Sequence, residues 1–492
     1  MKSLKIKEFV TKLRKGVRAG MAAVRESNTL TDNRIITIID RFKSSDALKL
    51  MRQGEQYYEV DNDIRNRKIT RKVNGHEEEE SWRANNKLAH AKYKIQVDEK
   101  IAYLLSKPVT FKTDKENNKY VELVKQTLGK RFQYQLTQLG YEASNKGIGW
   151  LQVYIDEEGN FKTMIIPAEQ CIPYWEDRTH TELNTMIRIY KTTVWVNNRE
   201  KEIENVEVWT KDGVTFYRRE GQMLILDTER NDAGGPIGHY HTMKEWKTWG
   251  KVPFIPFKNN QVELPDIKFV KSLLDAYDKG RSEVANYVEE VKNLIFVLKG
   301  YGGQDLSEFM QMLNEDRAIL IDDAEEGGVD TITPQMDITA IREHYEQLKR
   351  DIIEDGQSVN KDLDKFGSAP SGVALKFMYS GLDLKCNLLE AEFKMGFEML
   401  LYFLNEYFSS TNTSYEKSDI DLVFNRNMTV NEAEQIENCS KSADIVSDKT
   451  ILANHPYVSN VEEELKLLEE QRKETGASWD TAPIIKGEGD EE

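Results

Sequence analysis

The 492-residue sequence is poor in cysteine and has neither a long hydrophobic run nor an excess of positive charge. Its three cysteines, Cys171, Cys386 and Cys439, lie far apart with no Cys-x-x-Cys spacing, which argues against a disulfide framework or a thiolate zinc site and indicates reduced thiols. The longest strongly apolar stretch, 399–404, is too short to span a bilayer. The first twenty residues are basic and amphipathic but lack the apolar run of a signal peptide. We therefore expect a soluble protein that makes no membrane contact.

The charge balance of the chain is acidic. Asp and Glu number 84 against 68 Lys and Arg, which gives a formal net charge of −16. A protein that grips DNA through its phosphates usually has a basic excess, because neutralising phosphates releases counterions. The sequence therefore indicates that the protein either never meets DNA or meets DNA without holding it. Its 18 Phe, 21 Tyr and 8 Trp can build a sizeable core, which argues against a disordered chain.

Motifs of catalysis and cofactor binding are missing as well. No Gly-Lys-Ser/Thr follows a glycine-spaced loop, and neither Gly-x-Ser-x-Gly nor His-Glu-x-x-His occurs. His239 and His241 are spaced as in some metal sites, but without a third ligand nearby a surface loop is the better interpretation. The stretch 367–372 could cap an anion at a helix start, although an ordinary loop is favoured. We predict a protein that is not an enzyme and needs no cofactor or metal.

The order of predicted elements indicates an α+β fold that is mostly helical. Helices are expected within residues 1–105 and from Lys119 to Ser144, before the period changes to that of strands over a β-rich region, 149–257. The most apolar helix is predicted over Val373–Phe408, and we expect it to be core because apolar residues cover much of its circumference. A strand over 419–424 and helices over 431–447 and 461–475 are expected to follow.

Two further predicted helices bracket a compact insert. The first is expected to begin after Asp266 as its N-cap and to run to about Lys292, a length of about 40 Å at 1.5 Å per residue. Asp337 is predicted to cap the second. The second helix carries apolar residues at alternating steps of three and four: Ile338, Ile341, Tyr345, Leu348 and Ile352. Such a heptad seam is typical of a helix lying against a near-parallel partner, or of the edge of an ordinary bundle core. The pair predicts a stalk with the insert at its tip.

Four segments then stand out by their order along the chain. They are Asn85-Asn86-Lys87 with 97–109, Val252-Pro-Phe-Ile-Pro-Phe-Lys-Asn-Asn260, Asp364-Lys-Phe-Gly-Ser-Ala-Pro-Ser-Gly372 with the helix that continues to Cys386, and 447–465 with His455-Pro-Tyr-Val458. These segments resemble, in turn, the wing signature, the lead into the first stem helix, the tunnel loop and the crown of phage portal proteins of the SPP1 type, from phages of Gram-positive hosts. Each match is loose alone, but together they cover nearly the whole chain in the family's order.

The resemblance implies a twelve-subunit ring around a DNA channel. It divides the chain into a wing (1–265), a first stem helix (266–293), a small α/β clip (294–336), a second stem helix (337–358), a tunnel loop (359–371), a wing helix and strand (372–425), and a helical crown with an acidic tail (426–492).

The same resemblance implies the partners. They are double-stranded DNA in the channel, the terminase large subunit and a head-completion or adaptor protein at the clip, and the major capsid and scaffolding proteins. It places the protein at one capsid vertex of the virion, after assembly in the cytoplasm of the host bacterium.

Within this frame the acidic charge has a physical meaning, because a net-negative channel wall repels phosphate while a few lysines keep the duplex centred. The tunnel-loop candidates are Lys361, Asp364, Lys365, Phe366, Gly367, Ser368 and Gly372. We expect Lys361 and Lys365 to face DNA, with Lys349 and Arg350 on the second stem helix as weaker candidates. Gly367 and Gly372 would let the loop flex. The seam residues Ile341, Tyr345 and Leu348 are the predicted contact between neighbouring subunits.

Two alternatives remain open from the sequence. One is another structural protein, such as a minor capsid protein, which molecular mass would separate from a twelvefold ring. The other is a metal-dependent DNA-processing enzyme, which would need clustered carboxylates and a lysine on a strand-rich core. The predicted strands over 149–217 carry few such groups.

Overall fold

The computed structural model describes residues 31–474 apart from 74, 80–82, 114–118, 197, 232–235, 243–244, 291–294, 300–327, 333–336, 360–371, 412, 414, 428–431, 444 and 459–460. It mixes helices with antiparallel strands, as the sequence predicts.

The helices carry the labels α1 to α11 in chain order. They are α1 (Asp32–Lys43), α2 (Asp46–Tyr58), α3 (Lys92–Leu105), α4 (Lys119–Leu128), α5 (Arg131–Lys146), α6 (Ile267–Glu290), α7 (Ile338–Asp355), α8 (Gly372–Ser410), α9 (Glu432–Lys441), α10 (Asp448–Asn454) and α11 (Val461–Glu474). Of these helices, none is both long and apolar enough to cross a lipid bilayer, within the part of the chain that the structure describes.

The described strands form two main sheets and four two-stranded pairs. The five-stranded sheet has the order β10 (Met223–Leu226), β9 (Gly213–Glu220), β8 (Arg199–Thr210), β7 (Leu183–Val196), β6 (Cys171–Trp175), and the three-stranded sheet the order β13 (Phe254–Lys258), β4 (Ile148–Ile155), β5 (Phe161–Ile166). The pairs are β1 (Thr70–Val73) with β2 (His76–Glu79), β3 (Thr110–Lys112) with β16 (Asp421–Val423), β11 (Tyr240–His241) with β12 (Trp246–Lys247), and β14 (Ile295–Lys299) with β15 (Gly328–Ile332).

The five-stranded sheet is covered on both faces because its strands alternate two sets of apolar side chains. Met186 and Trp209 point to one face, where they pack in a core with Trp150 of β4 and Phe254 of β13. Their neighbours along the strands, including Ile187 and Val208, point to the other face and pack with Ile35 and Ile39 of α1. The predicted β-rich region is therefore a sheet between a smaller sheet and a helix.

Local bounds differ from the sequence prediction in three places. The helix expected over Lys119–Ser144 is two helices, α4 and α5, because Gly129 adopts a φ of +63° that ends the first. The sequence pattern predicts two strands, 186–190 and 192–196, and the structure has one long strand there, β7. The helix expected over 431–447 ends at Lys441, and α10 then starts anew with the Ser447 side chain accepting from Thr450 N.

The helix α8 was predicted to be core because apolar residues cover much of its circumference, and within this chain that holds for only one side of it. Leu384 and Leu388 are exposed on its surface, and so is Phe377. The residues that are buried, such as Phe393 and Phe397, occupy one side of the helix.

The chain divides into two compact units. The first holds the described residues up to Ser358 together with Leu384–Arg426, and therefore both sheets and α1–α7. The second holds the described parts of Val359–Asp383 and Asn427–Glu492. In the second unit α9 is tied to α10, because Gln435 Nε2 donates to the carbonyl oxygen of Asn454 at 2.7 Å.

Candidate functional site

The two predicted stem helices, α6 and α7, lie against each other through the predicted seam. Leu348 and Ile352 are buried and Tyr345 is half-buried, in the predicted steps of three and four. Asp337 caps α7 as predicted, accepting from the backbone N–H groups of Thr339 and Ala340 at 3.0 Å each. The seam is thus, at least in part, the contact between two helices of one chain.

A glycine in α6 makes room for this contact. The ring of Tyr345 lies over Gly280, where a Cβ atom would be 2.8 Å from Tyr345 Cε1. The ring centroids of Tyr277 and Tyr345 are 6.0 Å apart, and the Arg281 guanidinium lies 5.6 Å from the Tyr345 centroid. Gly280-Arg281 interrupts the apolar spacing of α6, and in the fold the missing side chain of Gly280 leaves room for the Tyr345 ring. The sequence pattern alone did not reveal this.

The polar face of α6 is paired with an extended segment, residues 83–90. Leu88 N donates to Ser282 Oγ at 2.9 Å, and Asn86 N donates to Asn286 Oδ1 at 2.6 Å. His90 Nδ1 lies 2.7 Å from Asp278 Oδ1, and burial raises the pKa of Asp278. The long polar remainder of α6 predicts a helix that packs on few neighbours, and this is wrong, since its polar groups bind a second piece of chain.

A buried charged cluster lies where α6 begins and α7 ends. We call it the base cluster, and its members are Lys100, Asn259, Asp266 and Lys385. Asp266, only 4% exposed and directly before α6, accepts from Lys100 Nζ at 3.1 Å, from Lys385 Nζ at 3.0 Å and from Asn259 Nδ2 at 2.8 Å. Lys385 also donates to the carbonyl oxygen of Gly356, just past the end of α7, at 3.0 Å. The start of α6 and the end of α7 are thus held by one lysine of α8.

The helix α3 supplies the second anchor. Lys100 belongs to the base cluster, and one turn earlier Gln96 Nε2 donates to the carbonyl oxygen of Ile352 in α7 at 2.8 Å. Both side chains are buried. A buried lysine costs free energy unless it is paired and hydrogen-bonded. The pairing of Lys100 with Asp266 therefore favours this one placement of α3 against the start of α6.

In the base cluster one carboxylate serves two ammonium groups. Burial acts to raise the pKa of Asp266, but Lys100 and Lys385 outweigh it and lower the pKa to about 2. Burial lowers the pKa of Lys100, because a shared carboxylate only partly offsets the loss of water. Burial also raises the pKa of the adjacent Cys386 thiol to about 11, so that thiol stays protonated at neutral pH.

The base cluster was not among the sites predicted from the sequence, although a signal for it exists. Lys100 lies three residues after Val97 and four before Leu104, on the apolar face of α3, where a lysine is unusual unless it has a buried partner. Asp266 was predicted as a helix cap, and α6 does begin at the next residue. Its charged partners, however, are far away in the sequence and could not be identified from it.

The remaining predicted site residues fall into two groups. The loop residues Lys361, Asp364, Lys365, Phe366, Gly367 and Ser368 lie outside the described residues, and Gly372 is the first residue of α8. Lys349 and Arg350 are exposed on α7, and Lys349 Nζ lies 3.5 Å from Glu346 Oε2. Ile341 is half-buried.

The predicted surface position of the His239–His241 pair is wrong for His239. Its Nε2 lies 2.7 Å from the carbonyl oxygen of Thr210, and its Nδ1 accepts from Trp249 N at 3.1 Å. These partners require the neutral ring, and burial lowers the pKa of His239 in the same direction. Among the residues the structure describes, no three His, Cys, Asp or Glu side chains are grouped to hold a metal ion.

Comparison with known proteins gives matches over most of the chain. The family model described as phage portal protein, SPP1 Gp6-like, matches residues 43–477. A portal protein of Clostridium phage phiCD119 is 34% identical over 439 residues, covering 86% of this chain and 92% of the relative. A portal protein of Bacillus phage SPP1 is 29% identical over 439 residues, covering 88% of this chain and 85% of the relative.

One solved structure is also similar, described as the neck of an empty GTA particle computed with C6 symmetry. It shares 12% identity, with 75% of this chain and 90% of that chain covered and a TM-score of 0.38.

Proposed function

The chain belongs to the SPP1 Gp6-like family of phage portal proteins, and from this membership we propose that twelve copies form a ring at one capsid vertex, with DNA entering and leaving along its axis. The portal role itself follows from the family, which is structural rather than enzymatic. The ring number, the channel and the site residues are the proposal.

The observation that carries the proposal is the way α6 and α7 are anchored. A channel wall that DNA moves past must keep its shape under load. The base cluster fixes the start of α6 and the end of α7 to α3 and α8 through buried charge-assisted hydrogen bonds. In the chain, the proposed tunnel loop (359–371) follows directly on this fixed end of α7. We propose that α6 and α7 are the stem.

The acidic net charge of the chain favours a channel through which DNA slides over one that binds DNA tightly. Twelve chains would carry twelve times −16, or −192, formal charges, so the channel as a whole repels phosphate and DNA finds no deep binding well. Lys361 and Lys365 on the loop would then centre the duplex. Lys349 and Arg350, exposed on α7, are the weaker candidates for the same task.

We further propose the remaining divisions and partners from family membership. The wing comprises 1–265 and 372–425, the clip 294–336 and the crown 426–492. The clip, whose described part is the antiparallel pair of β14 and β15, would bind the terminase large subunit and later the adaptor protein. Major capsid and scaffolding proteins would surround the ring during assembly in the host cytoplasm.

A direct test is negative-stain electron microscopy of the purified protein. We expect rings with an axial hole and a mass of about 680 kDa, twelve times 57.0 kDa. A monomer at all concentrations, or a compact particle without a hole, would contradict the ring and favour another structural role.

Reversing the loop charge tests the contact with DNA. The Lys361→Glu/Lys365→Glu variant should form normal rings but fill capsids poorly, because two glutamates per copy replace the lysines that attract the duplex. We expect at least a several-fold drop in packaged DNA, measured as the ratio of full to empty capsids. The matched control is Lys49→Glu/Lys125→Glu, which reverses two exposed helical lysines of the proposed wing. Equal filling by both variants would remove the loop from the DNA contact.

The proposed seam contact between subunits has a separate test at Ile341. The Ile341→Asp variant puts a charge on the half-buried edge of the seam, and we expect it to shift the purified protein from rings towards monomers. If rings persist and only the melting temperature falls, the seam acts within one chain alone.

A further inference from the structure

The long helix α8 has two unlike faces. Its inner face is core, and its members there are almost without exposed surface: Cys386, Leu389, Phe393, Phe397 and Leu400. On the opposite face Leu384 is 62% exposed, Leu388 60% and Met395 51%. Steps of four and seven residues bring these three side chains to nearly the same angle around the helix axis, so they form a single row. We call this row the outer stripe.

Between Leu384 and Ala391 the outer stripe lacks the charges that usually cover the solvent side of a helix, and exposed charged residues on α8 return at Lys394 and Glu398. Within residues 384–393, all of which the structure describes, the exposed positions are Leu384, Asn387, Leu388 and Ala391. The nearby Glu390 is only half-exposed and is held at the side by Lys394 at 2.8 Å and by Arg426 at 2.9 Å. From Leu384 to Met395 the stripe is about 17 Å long at 1.5 Å per residue. In a chain with 31% charged residues, such a face is unusual.

We infer that a second copy of this chain covers the outer stripe, and that the stripe is a side-to-side contact of the ring. This inference rests on the proposed function, since each member of a ring needs a neighbour on both sides. In a closed ring the two faces in contact are different surfaces, so the stripe meets another part of its neighbour rather than a second stripe.

Charge is the reason for choosing a second copy as the occupant. Each copy carries a net charge of −16, so two copies repel wherever both present their acidic surface. They can approach closely where one of them presents no charge, and the outer stripe is such a place. Its apolar side chains then gain by leaving water. DNA is a poor occupant, because the stripe itself is apolar and the two cations beside it, Lys394 and Arg426, are already paired with Glu390.

The position of the stripe also suits a load-bearing contact. Lys385, next to Leu384, points inward and holds Asp266 and Gly356. A neighbouring subunit packed on the stripe would therefore contact α8, the helix whose Lys385 holds both proposed stem helices. This places the ring contact and the stem base on opposite sides of one helix.

The test is the Leu384→Asp/Leu388→Asp variant beside the wild type and a Leu384→Met/Leu388→Met control. We expect wild type and control to form rings by electron microscopy and mass photometry, and the Asp variant to be monomeric with an unchanged circular dichroism spectrum. Rings from the Asp variant would overturn the inference and leave the proposed ring intact. A monomeric wild type would instead contradict the proposed function. A misfolded Asp variant would show that the residues are core, and this too would overturn the inference.

A second measurement identifies the occupant. Leu388 is replaced by the photo-cross-linker p-benzoylphenylalanine, and copies labelled with ¹⁴N and ¹⁵N are mixed before assembly. We expect cross-links that join a light copy to a heavy copy, found by mass spectrometry. Cross-links confined to one chain, for example to its first 30 residues, would overturn the inference, and so would intact rings without any cross-link at position 388.

Discussion

The Asp266→Asn variant is expected to lower the free energy of unfolding by about 3–5 kcal/mol, the usual cost of breaking a buried ion pair from one side. The change is nearly isosteric, so packing is preserved. What is lost is the charge that lets Lys100 and Lys385 remain buried. The two ammonium groups would then lack a carboxylate in a site that water does not reach.

Urea unfolding followed by tryptophan fluorescence measures the effect. The matched control is Glu122→Gln, which removes one partner of the exposed Lys125–Glu122 pair and should change stability by less than about 1 kcal/mol. Replacing the cluster together, as Lys100→Met/Asp266→Leu/Lys385→Met, should recover most of the loss, because no buried charge then remains. A loss below about 1 kcal/mol for Asp266→Asn would show that the base cluster is not a stabilising anchor.

The same residue predicts an acid dependence. The folded pKa of Asp266, about 2, lies below its ordinary value of 3.8, so the folded state favours the ionised form. Its contribution to stability is therefore fully present above about pH 4 and is lost as the pH falls towards 2. The stability difference between wild type and Asp266→Asn should shrink over this window. A difference that stays constant between pH 6 and pH 2.5 would contradict the assignment.

The Phe397→Ala variant should also cost about 3–5 kcal/mol, because it opens a cavity in a close-packed core. Phe397 is 1% exposed on the inner face of α8. Its ring centroid is 5.6 Å from that of Phe111 in β3 and 6.2 Å from that of Phe132 in α5. The side chain therefore joins three elements, and no single neighbour can fill the space it leaves.

The control for this variant lies on the other side of the same helix. Leu388→Ala should change the stability of the monomeric chain by about 0.5 kcal/mol or less, since that side chain is exposed within the chain. Urea unfolding of both variants in the Leu384→Asp background, which puts a charge into the outer stripe, measures the two losses with the proposed ring contact weakened. Similar losses of unfolding free energy for Phe397→Ala and Leu388→Ala would contradict a buried inner face and an exposed outer face of α8.

Local patterns predicted much of the fold. The apolar steps of three and four gave α7 and its cap at Asp337, because neighbouring turns of a helix are set by nearby residues. The change to strand periodicity located the β-rich region for the same reason. The break at Gly129 was missed, because apolar residues continue the helical spacing across it and the left-handed turn depends on a single glycine.

The sequence by itself determined the helices, the strands and the family to which the chain belongs. Only the tertiary structure decided which side of α8 is core, why α6 has a glycine under Tyr345, and that Asp266 pairs with two buried lysines. The physical reason is distance along the chain. Periodicity reports contacts within a few residues, whereas Lys100 and Lys385 come from helices more than a hundred residues away on either side of Asp266. A buried charge can be understood only once its partners have been brought together by folding.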